Sequence, residues 1–227
     1  MAYKTIDGHR HMLYSIPFLN EAQSFEQANA FYEKMNARRS VREFSTKAVA
    51  KQTIEKIIQT ASTAPSGAHK QPWTFCAISN SSIKREIRLA AEKEEEENYN
   101  KRMSARWKED LKAFGTNPSK PFLETAPWLI AVFKQSFAYN AHGQKSNHYY
   151  VNESVGIACG LLISAIHHAG LVTLTHTPSP MNFLSQICDR PENEKPYLLL
   201  PVGYPETPCY VPDIQRKSLS EIAVFYE

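Results

Sequence analysis

No stretch of the 227-residue chain that stays mostly apolar is longer than twelve residues, Val155 to Ile166. A membrane-spanning helix needs roughly 20, so no membrane role is expected. The opening residues MAYKTIDGHRHMLYSIPF carry neither a basic start leading into an apolar run nor a small-residue cleavage site. No signal peptide is expected from them, and a cytoplasmic location is the default. Cysteine is sparse: Cys76, Cys159, Cys188 and Cys209 stand alone, without CxxC spacing, which speaks against a disulfide framework or a zinc ribbon. They read as small apolar residues. The eight histidines form no HExxH and no pairing with cysteine at zinc spacing, so no metal site is expected. Neither GxGxxG after a strand, nor GxxxxGK[ST], nor GxSxG occurs, which removes the usual dinucleotide fold, the P-loop and the nucleophile-elbow hydrolases. A surplus of one charge is also missing: 26 Lys and Arg against 23 Asp and Glu leave +3. That is too mild for a nucleic-acid footprint, and basic and aromatic residues are not interleaved along one stripe.

What is present is an ordinary globular composition, 42% hydrophobic and 11% aromatic, enough for a sizeable core and against intrinsic disorder. One domain spanning 1–227 is expected. Residues Glu21 to Asn36, with Ala28, Phe31, Tyr32 and Met35 at helical spacing, predict an amphipathic helix leading to a basic cluster. Thr53 to Ala64 predicts a second helix, stopped by the turn Pro65-Ser66-Gly67. Trp73 to Ile78 and Ala126 to Lys134 read as buried strands, and Leu171 to Thr175 and Tyr197 to Val202 as two more. Tyr149 to Ala169 is apolar on nearly every side and predicts a long buried helix capped by Gly170. Between them, Lys84 to Lys120 is dense in charge of both signs with a thin apolar set. Such a segment has little burial to offset its ordering entropy and suits a lid. A solvated charged helix fits the same pattern. On pattern alone α+β and a doubly wound sheet are equally compatible.

Three arginines in the run Arg38-Arg39-Ser40-Val41-Arg42 can present fork-shaped donors and a hydroxyl to one phosphate. A solvated basic loop is the plain alternative. Glu95 and Tyr99, four apart, share a helix face on which an ammonium would meet a carboxylate and a phenol oxygen. Taken alone, that pair is commonplace.

Six segments, RRSVREFS, APSGAHKQPWTF, EEENYNKRMSARW, SVGIACGLL, THTPSP and LLPVGYP, together resemble the nitroreductase flavoprotein superfamily and, within it, the iodotyrosine deiodinase family. The resemblance runs from about Tyr32 to the C-terminus, in the same order and nearly the same spacing. It implies an α+β fold, a central mixed sheet flanked by helices, in an intertwined homodimer with FMN bound at the subunit interface. A lid at about 94–120 and a C-terminal extension at about 213–227 that packs on the partner subunit are implied with it.

By the same resemblance, Arg38, Arg39, Ser40, Val41 and Arg42 hold the FMN phosphate and ribityl chain, helped by Arg216. Pro65, Ser66 and Gly67 reach the flavin from the partner subunit. Thr177 donates its hydroxyl to flavin N5, with Thr175 and His176 completing the contact; His176 stands where vertebrate relatives have Thr. A hydrogen bond at N5 lets reduced flavin deliver electrons one at a time rather than as hydride. Glu95 and Tyr99 take the substrate's ammonium and Lys120 its carboxylate, and the N–H of Ala68 acts as an oxyanion site for the phenolate. The implied activity is FMN-dependent reductive dehalogenation of iodinated, brominated or chlorinated tyrosine, with electrons from an NAD(P)H-linked reductase or a ferredoxin-type protein. A general NAD(P)H-dependent nitroreductase or quinone reductase needs the flavin site without the amino-acid clamp and is the competing expectation. Vertebrate deiodinases carry an N-terminal membrane anchor, and none is read in this sequence, so a soluble enzyme is expected.

Overall fold

A computed structural model describes residues 2–227, which divide into two units, one ending at Arg38 and one beginning at Arg39. The first unit opens with a hairpin, β1 (Tyr3–Ile6) against β2 (His9–Met12). Its two-residue turn, Asp7-Gly8, has positive φ at both positions, the conformation an Asp-Gly hairpin turn supplies. Helix α1 (Glu21–Asn36) follows, at the expected bounds. Asn20 caps it by accepting from Gln23 N, while the Gln23 side chain returns a bond to Asn20 N, a capping box that fixes the helix start. No residue of α1 is buried: Phe31 and Tyr32, expected to face a core, are 58% and 59% exposed. In this one chain the apolar stripe of α1 has no cover.

The second unit is a three-layer sandwich. Its elements are α2 (Lys51–Ala61), β3 (Trp73–Ile78), α3 (Ser81–Glu97), α4 (Ala105–Lys112), α5 (Phe122–Thr125) and β4 (Trp128–Gln135). Then come the small hairpin β5 (Phe137–Tyr139) and β6 (Lys145–Asn147), the long α6 (Val151–His168), β7 (Val172–Thr173), α7 (Asn182–Ile187), β8 (Glu194–Gly203) and α8 (Leu219–Ile222). The main sheet has the order β3-β4-β8-β7, every neighbour antiparallel. Its parallel component is a single bridge, Ser40 to Thr173. The fold is α+β.

Alternation along a strand sends successive side chains to opposite faces, and β4 shows how that builds two cores. Ile130 and Val132 join Trp73, Leu198, Leu200 and Val202 under α2 and α6; Leu129, Ala131 and Phe133 join Ile78 and Leu199 under α3, α5 and α7. A strand apolar at every position is what burial on both faces demands. The long α6 departs from the expectation. Val155, Ala158, Cys159, Leu162 and Ile166 are buried, but Ile157 on the opposite side is 47% exposed. The second apolar face of α6, like the stripe of α1, meets nothing in a single chain. The C-terminal residues behave alike: α8 buries nothing, and Phe225 and Tyr226 are 70% and 95% exposed. Among the described residues no helix is long and apolar enough to cross a membrane.

Candidate active site

The site begins with the helical phase of α3. Lys84, Ile87, Ala91 and Glu95 are its buried positions, and Asn98 continues the stripe into a turn of π-helix, Asn98–Arg102. The spacing that seats Ile87 and Ala91 on the sheet therefore carries the Glu95 carboxylate inward too. Lys84 secures this region: its buried ammonium donates to the carbonyls of Glu124 and Ala126 at 2.8 and 2.7 Å, at the end of α5.

Lys120, just before α5, is buried, with its Nζ 3.5 Å from Glu95 Oε2 and 5.8 Å from the centre of the Tyr99 ring. The ammonium also donates to Thr116 Oγ1 at 3.2 Å and to the Asn117 carbonyl. Burial raises the Glu95 carboxyl's pKa and lowers that of the Lys120 ammonium, each resisted by the other's charge. The charged segment that follows α3 is helical: α4 buries nothing, and Arg102 Nη1 holds the turn before it by bonding Glu94 Oε2 at 2.8 Å, Asn98 Oδ1 at 3.2 Å and the Ser179 carbonyl at 2.8 Å.

Another wall of the cleft is the extension of β7. Thr173 pairs with Val202 and His176 with Leu199 in one antiparallel register, so the chain stays extended and its side chains alternate. Thr175 and Thr177 face outward while Leu174, His176 and Pro178 are buried. The His176 N–H donates to Leu199 O at 2.9 Å, and the Leu199 N–H to His176 O at 3.1 Å. With those backbone groups occupied, the outward hydroxyls of Thr175 and Thr177 are what this strand offers a ligand. The His176 ring stands edge-on to Phe122 at 5.8 Å, and its Nε2 has no hydrogen-bond partner among the described residues. Burial, reinforced by Lys120 and Arg42, pushes its pKa down to about 3, so the ring is neutral at physiological pH.

Arg42 completes the cleft. Val41 anchors it, being buried with its N–H donated to Thr173 O at 3.2 Å. The Arg42 guanidinium is half-buried, its pKa lowered by that burial and eased only by Tyr99; it has no acidic partner among the described residues. A half-buried cation without a carboxylate is an anion site by charge. Arg42, Glu95, Tyr99, Lys120, Thr175, His176 and Thr177 thus line one cleft of about 170 Å³. The cleft is smaller than the roughly 300–1,000 Å³ usual for ligand pockets. Arg39 and Ser40 are exposed beside Val41, Arg38 belongs to the first unit, and Arg216 lies exposed in the C-terminal segment; none of these lines the cleft. Sequence reasoning passed over Asn98, Met103 and Phe122 as lining residues; the continued α3 stripe was the signal for Asn98.

The Pro65-Ser66-Gly67-Ala68 turn does not line that cleft either; it docks on the start of α6. The Gly67 N–H approaches Ser154 Oγ at 3.4 Å, and a Cβ on Gly67 would lie 2.9 Å from the Tyr149 carbonyl. Ala68 sits at φ 48°, His69 at 53° and Gln71 at 48°, with Lys70 right-handed between the last two; three left-handed residues without glycine cost energy and are typical of functional turns. Gly67→Ala is expected to destabilise the fold by about 1–3 kcal/mol through this backbone collision, a fall of roughly 2–10 °C in the unfolding midpoint for a chain of this size. Calorimetry checks it; an unchanged midpoint would mean the turn can move off α6 freely.

Residues 35–204 match the model of the nitroreductase family. The iodotyrosine deiodinase of Haliscomenobacter hydrossis is 60% identical over 196 residues, covering 86% of this chain and 88% of that protein. Iodotyrosine deiodinase 1 of Homo sapiens is 46% identical over 215 residues, 94% of this chain and 74% of that one. Among solved structures, oxidised iodotyrosine deiodinase bound to FMN and 3-iodo-L-tyrosine superposes with a TM-score of 0.75 at 28% identity, over 87% of this chain and 98% of that one. A nitroreductase with bound FMN from Bacteroides fragilis shares the fold at a TM-score of 0.63 and 20% identity, over 87% and 98%. The half-buried Arg42, the left-handed turn and the buried acid–lysine pair thus lie in a chain that belongs to the nitroreductase family and, within it, to the iodotyrosine deiodinases.

Proposed function

We propose that this chain is an FMN-dependent reductive dehalogenase of halotyrosines, acting on mono- and diiodotyrosine and on bromo- and chlorotyrosine. The observation that carries this reading is the buried Glu95–Lys120 pair with Tyr99 beside it in the cleft. An amino acid's ammonium and carboxylate can exchange into such a pair, ammonium to Glu95 and the Tyr99 oxygen, carboxylate to Lys120. Each buried charge then keeps an opposite neighbour. A ligand with only one of the two charges would leave the other receptor uncompensated, which is costly in a buried site.

The residues fit FMN. The half-buried Arg42 guanidinium without an acidic partner is suited to its phosphate, with Arg38, Arg39, Ser40, Val41 and Arg216 as further contacts. The outward Thr177 hydroxyl, with Thr175 and His176 beside it, is suited to flavin N5. FMN supplies the two electrons that replace the carbon–halogen bond by carbon–hydrogen, with one proton taken up and halide released. A Thr177 hydroxyl held at that nitrogen would favour their delivery singly. The Ala68 N–H, in the same left-handed turn as Pro65 to Gly67 and brought to the site with them by the second chain, would stabilise the substrate's phenolate oxygen. Ortho halogens lower a phenol's pKa from about 10, so halotyrosine presents that anion more readily than tyrosine does.

Two chains make the complete site in this reading. The uncovered stripe of α1, the outer face of α6 and the exposed C-terminal residues are apolar surface that an intertwined homodimer would bury. It would also bring Pro65, Ser66 and Gly67 of the partner subunit to the flavin. The electron donor in this scheme is an NAD(P)H-linked reductase or a ferredoxin-type protein, and the setting is cytoplasmic. Titrating the FMN-loaded protein with 3-iodotyrosine and with 2-iodophenol tests the zwitterion clamp. Affinity for the amino acid should be greater by a factor of 100 or more, about 2.7 kcal/mol or above. Equal affinities would reject the clamp and favour a general nitroreductase.

A further inference from the structure

Lys120 stands in the irregular stretch between α4 and α5; its carbonyl accepts the Leu123 N–H of α5 at 3.0 Å, which leaves its own N–H to be held from elsewhere. A lysine ammonium lies at the end of four flexible carbons, and its placement depends on where its Cα is held. The anchor of that N–H is one carboxylate oxygen. Oε1 of Glu92, on α3, accepts the Lys120 N–H at 2.5 Å, the Ser119 hydroxyl at 3.3 Å and Arg88 Nε at 2.9 Å. Arg88 Nη1 extends the set to Glu124 Oε1 at 3.4 Å, in α5. Glu92 lies one turn before Glu95 on the same helix face. A single rigid helix therefore holds both the main chain of Lys120 and the side-chain partner of its ammonium.

We infer that Glu92 is a positioning residue for recognition of the substrate's amino-acid group. By fixing the Lys120 main chain, it sets the separation between the carboxylate that takes the ammonium and the ammonium that takes the carboxylate. The inference rests on the halotyrosine reading above. Burial raises the Glu92 carboxyl's pKa, but the Lys120 amide and Arg88 more than offset this and hold it below the usual carboxylate range, so the anchor is charged at neutral pH. Without it, the stretch must be ordered each time substrate binds, and that entropy is taken from affinity. Charge-assisted hydrogen bonds to buried groups are each worth enough to change affinity roughly tenfold or more.

The test is a double-substitution cycle in the FMN-loaded protein, reading KM and kcat for 3-iodotyrosine. Glu92→Ala should raise KM about tenfold with a smaller change in kcat, and in combination with Lys120→Ala it should add less than about twofold, since a residue acting through another is non-additive with it. Glu92→Gln, which keeps shape and an acceptor oxygen but not the charge, should fall between, and serves if the alanine variant does not fold. If Lys120→Ala raises KM but Glu92→Ala does not, or if the two effects simply add, the positioning role is wrong while the substrate reading stands. If Lys120→Ala itself leaves KM unchanged, the substrate reading fails and the role of Glu92 with it.

Discussion

Lys120→Ala is expected to weaken binding of 3-iodotyrosine by about two orders of magnitude, because removing one member of a buried charged set typically costs roughly 2–5 kcal/mol. The loss has two sources. The ligand's carboxylate loses its counter-ion, and Glu95, already pushed toward its protonated form by burial, loses the cation that opposes this. A protonated Glu95 is a poorer acceptor for the ligand's ammonium, so both ends of the clamp fail together. The effect should be confined to ligands with an amino-acid head group: iodophenol makes no use of Lys120. Isothermal titration of the flavin-loaded variant measures it. A loss of less than threefold would mean that the buried pair serves the lid's structure and not recognition.

The second large effect concerns Arg42. Arg42→Ala should weaken FMN about 10- to 100-fold, since a charge-assisted hydrogen bond to a phosphate is worth about 1.5–3 kcal/mol. Arg42→Lys should recover only part of it, because an ammonium keeps the charge but not the planar, two-pronged donor set. Val41, whose side chain is buried and whose N–H is bonded to Thr173 O, fixes the main chain in all three proteins, so a difference between them reports the side chain. Fluorescence titration of the apoprotein with FMN reads the constants. Equal affinity in all three would move the phosphate to other residues.

Much of the fold was legible where a local pattern and burial agree. Trp73 to Ile78 and the first helix lie where their patterns place them. The helix expected over Thr53 to Ala64 runs Lys51–Ala61, closing before the Pro65 turn, and the strand expected over Leu171 to Thr175 is regular only at Val172–Thr173. The shortening has a reason: Leu174 and Thr175 form no ladder pair before His176 rejoins the same register at Leu199. The N-terminal hairpin was signalled by Asp7-Gly8 but hidden by strands that are polar and exposed throughout, where no alternation marks a buried face. The apolar stripe of α1 and the outer side of α6 are exposed in this chain, because helical spacing marks an apolar face without saying what, if anything, covers it.

The site was legible in its chemistry and not in its assembly. Glu95 and Tyr99 follow from helical spacing, and the arginine cluster from charge. Nothing local connects Glu95 to Lys120, 25 positions later, or brings Arg42 beside them; those contacts are made by the return of the chain onto α3 before α5 and by pairing at the edge of the sheet. Glu92 was read only as one more charge in the Lys84 to Lys120 segment. Its partners, the Lys120 N–H and the Ser119 hydroxyl, are backbone and loop groups that no sequence pattern marks.

The most direct test of the central claim is a single reaction. The purified protein is loaded with FMN, reduced with dithionite under anaerobic conditions and mixed with diiodotyrosine, and flavin oxidation and product formation are followed in the same sample. Oxidation of the flavin with one monoiodotyrosine or tyrosine carbon–hydrogen bond formed per flavin is the predicted result. A reduced flavin that ignores diiodotyrosine but is oxidised by a nitroaromatic would contradict the account.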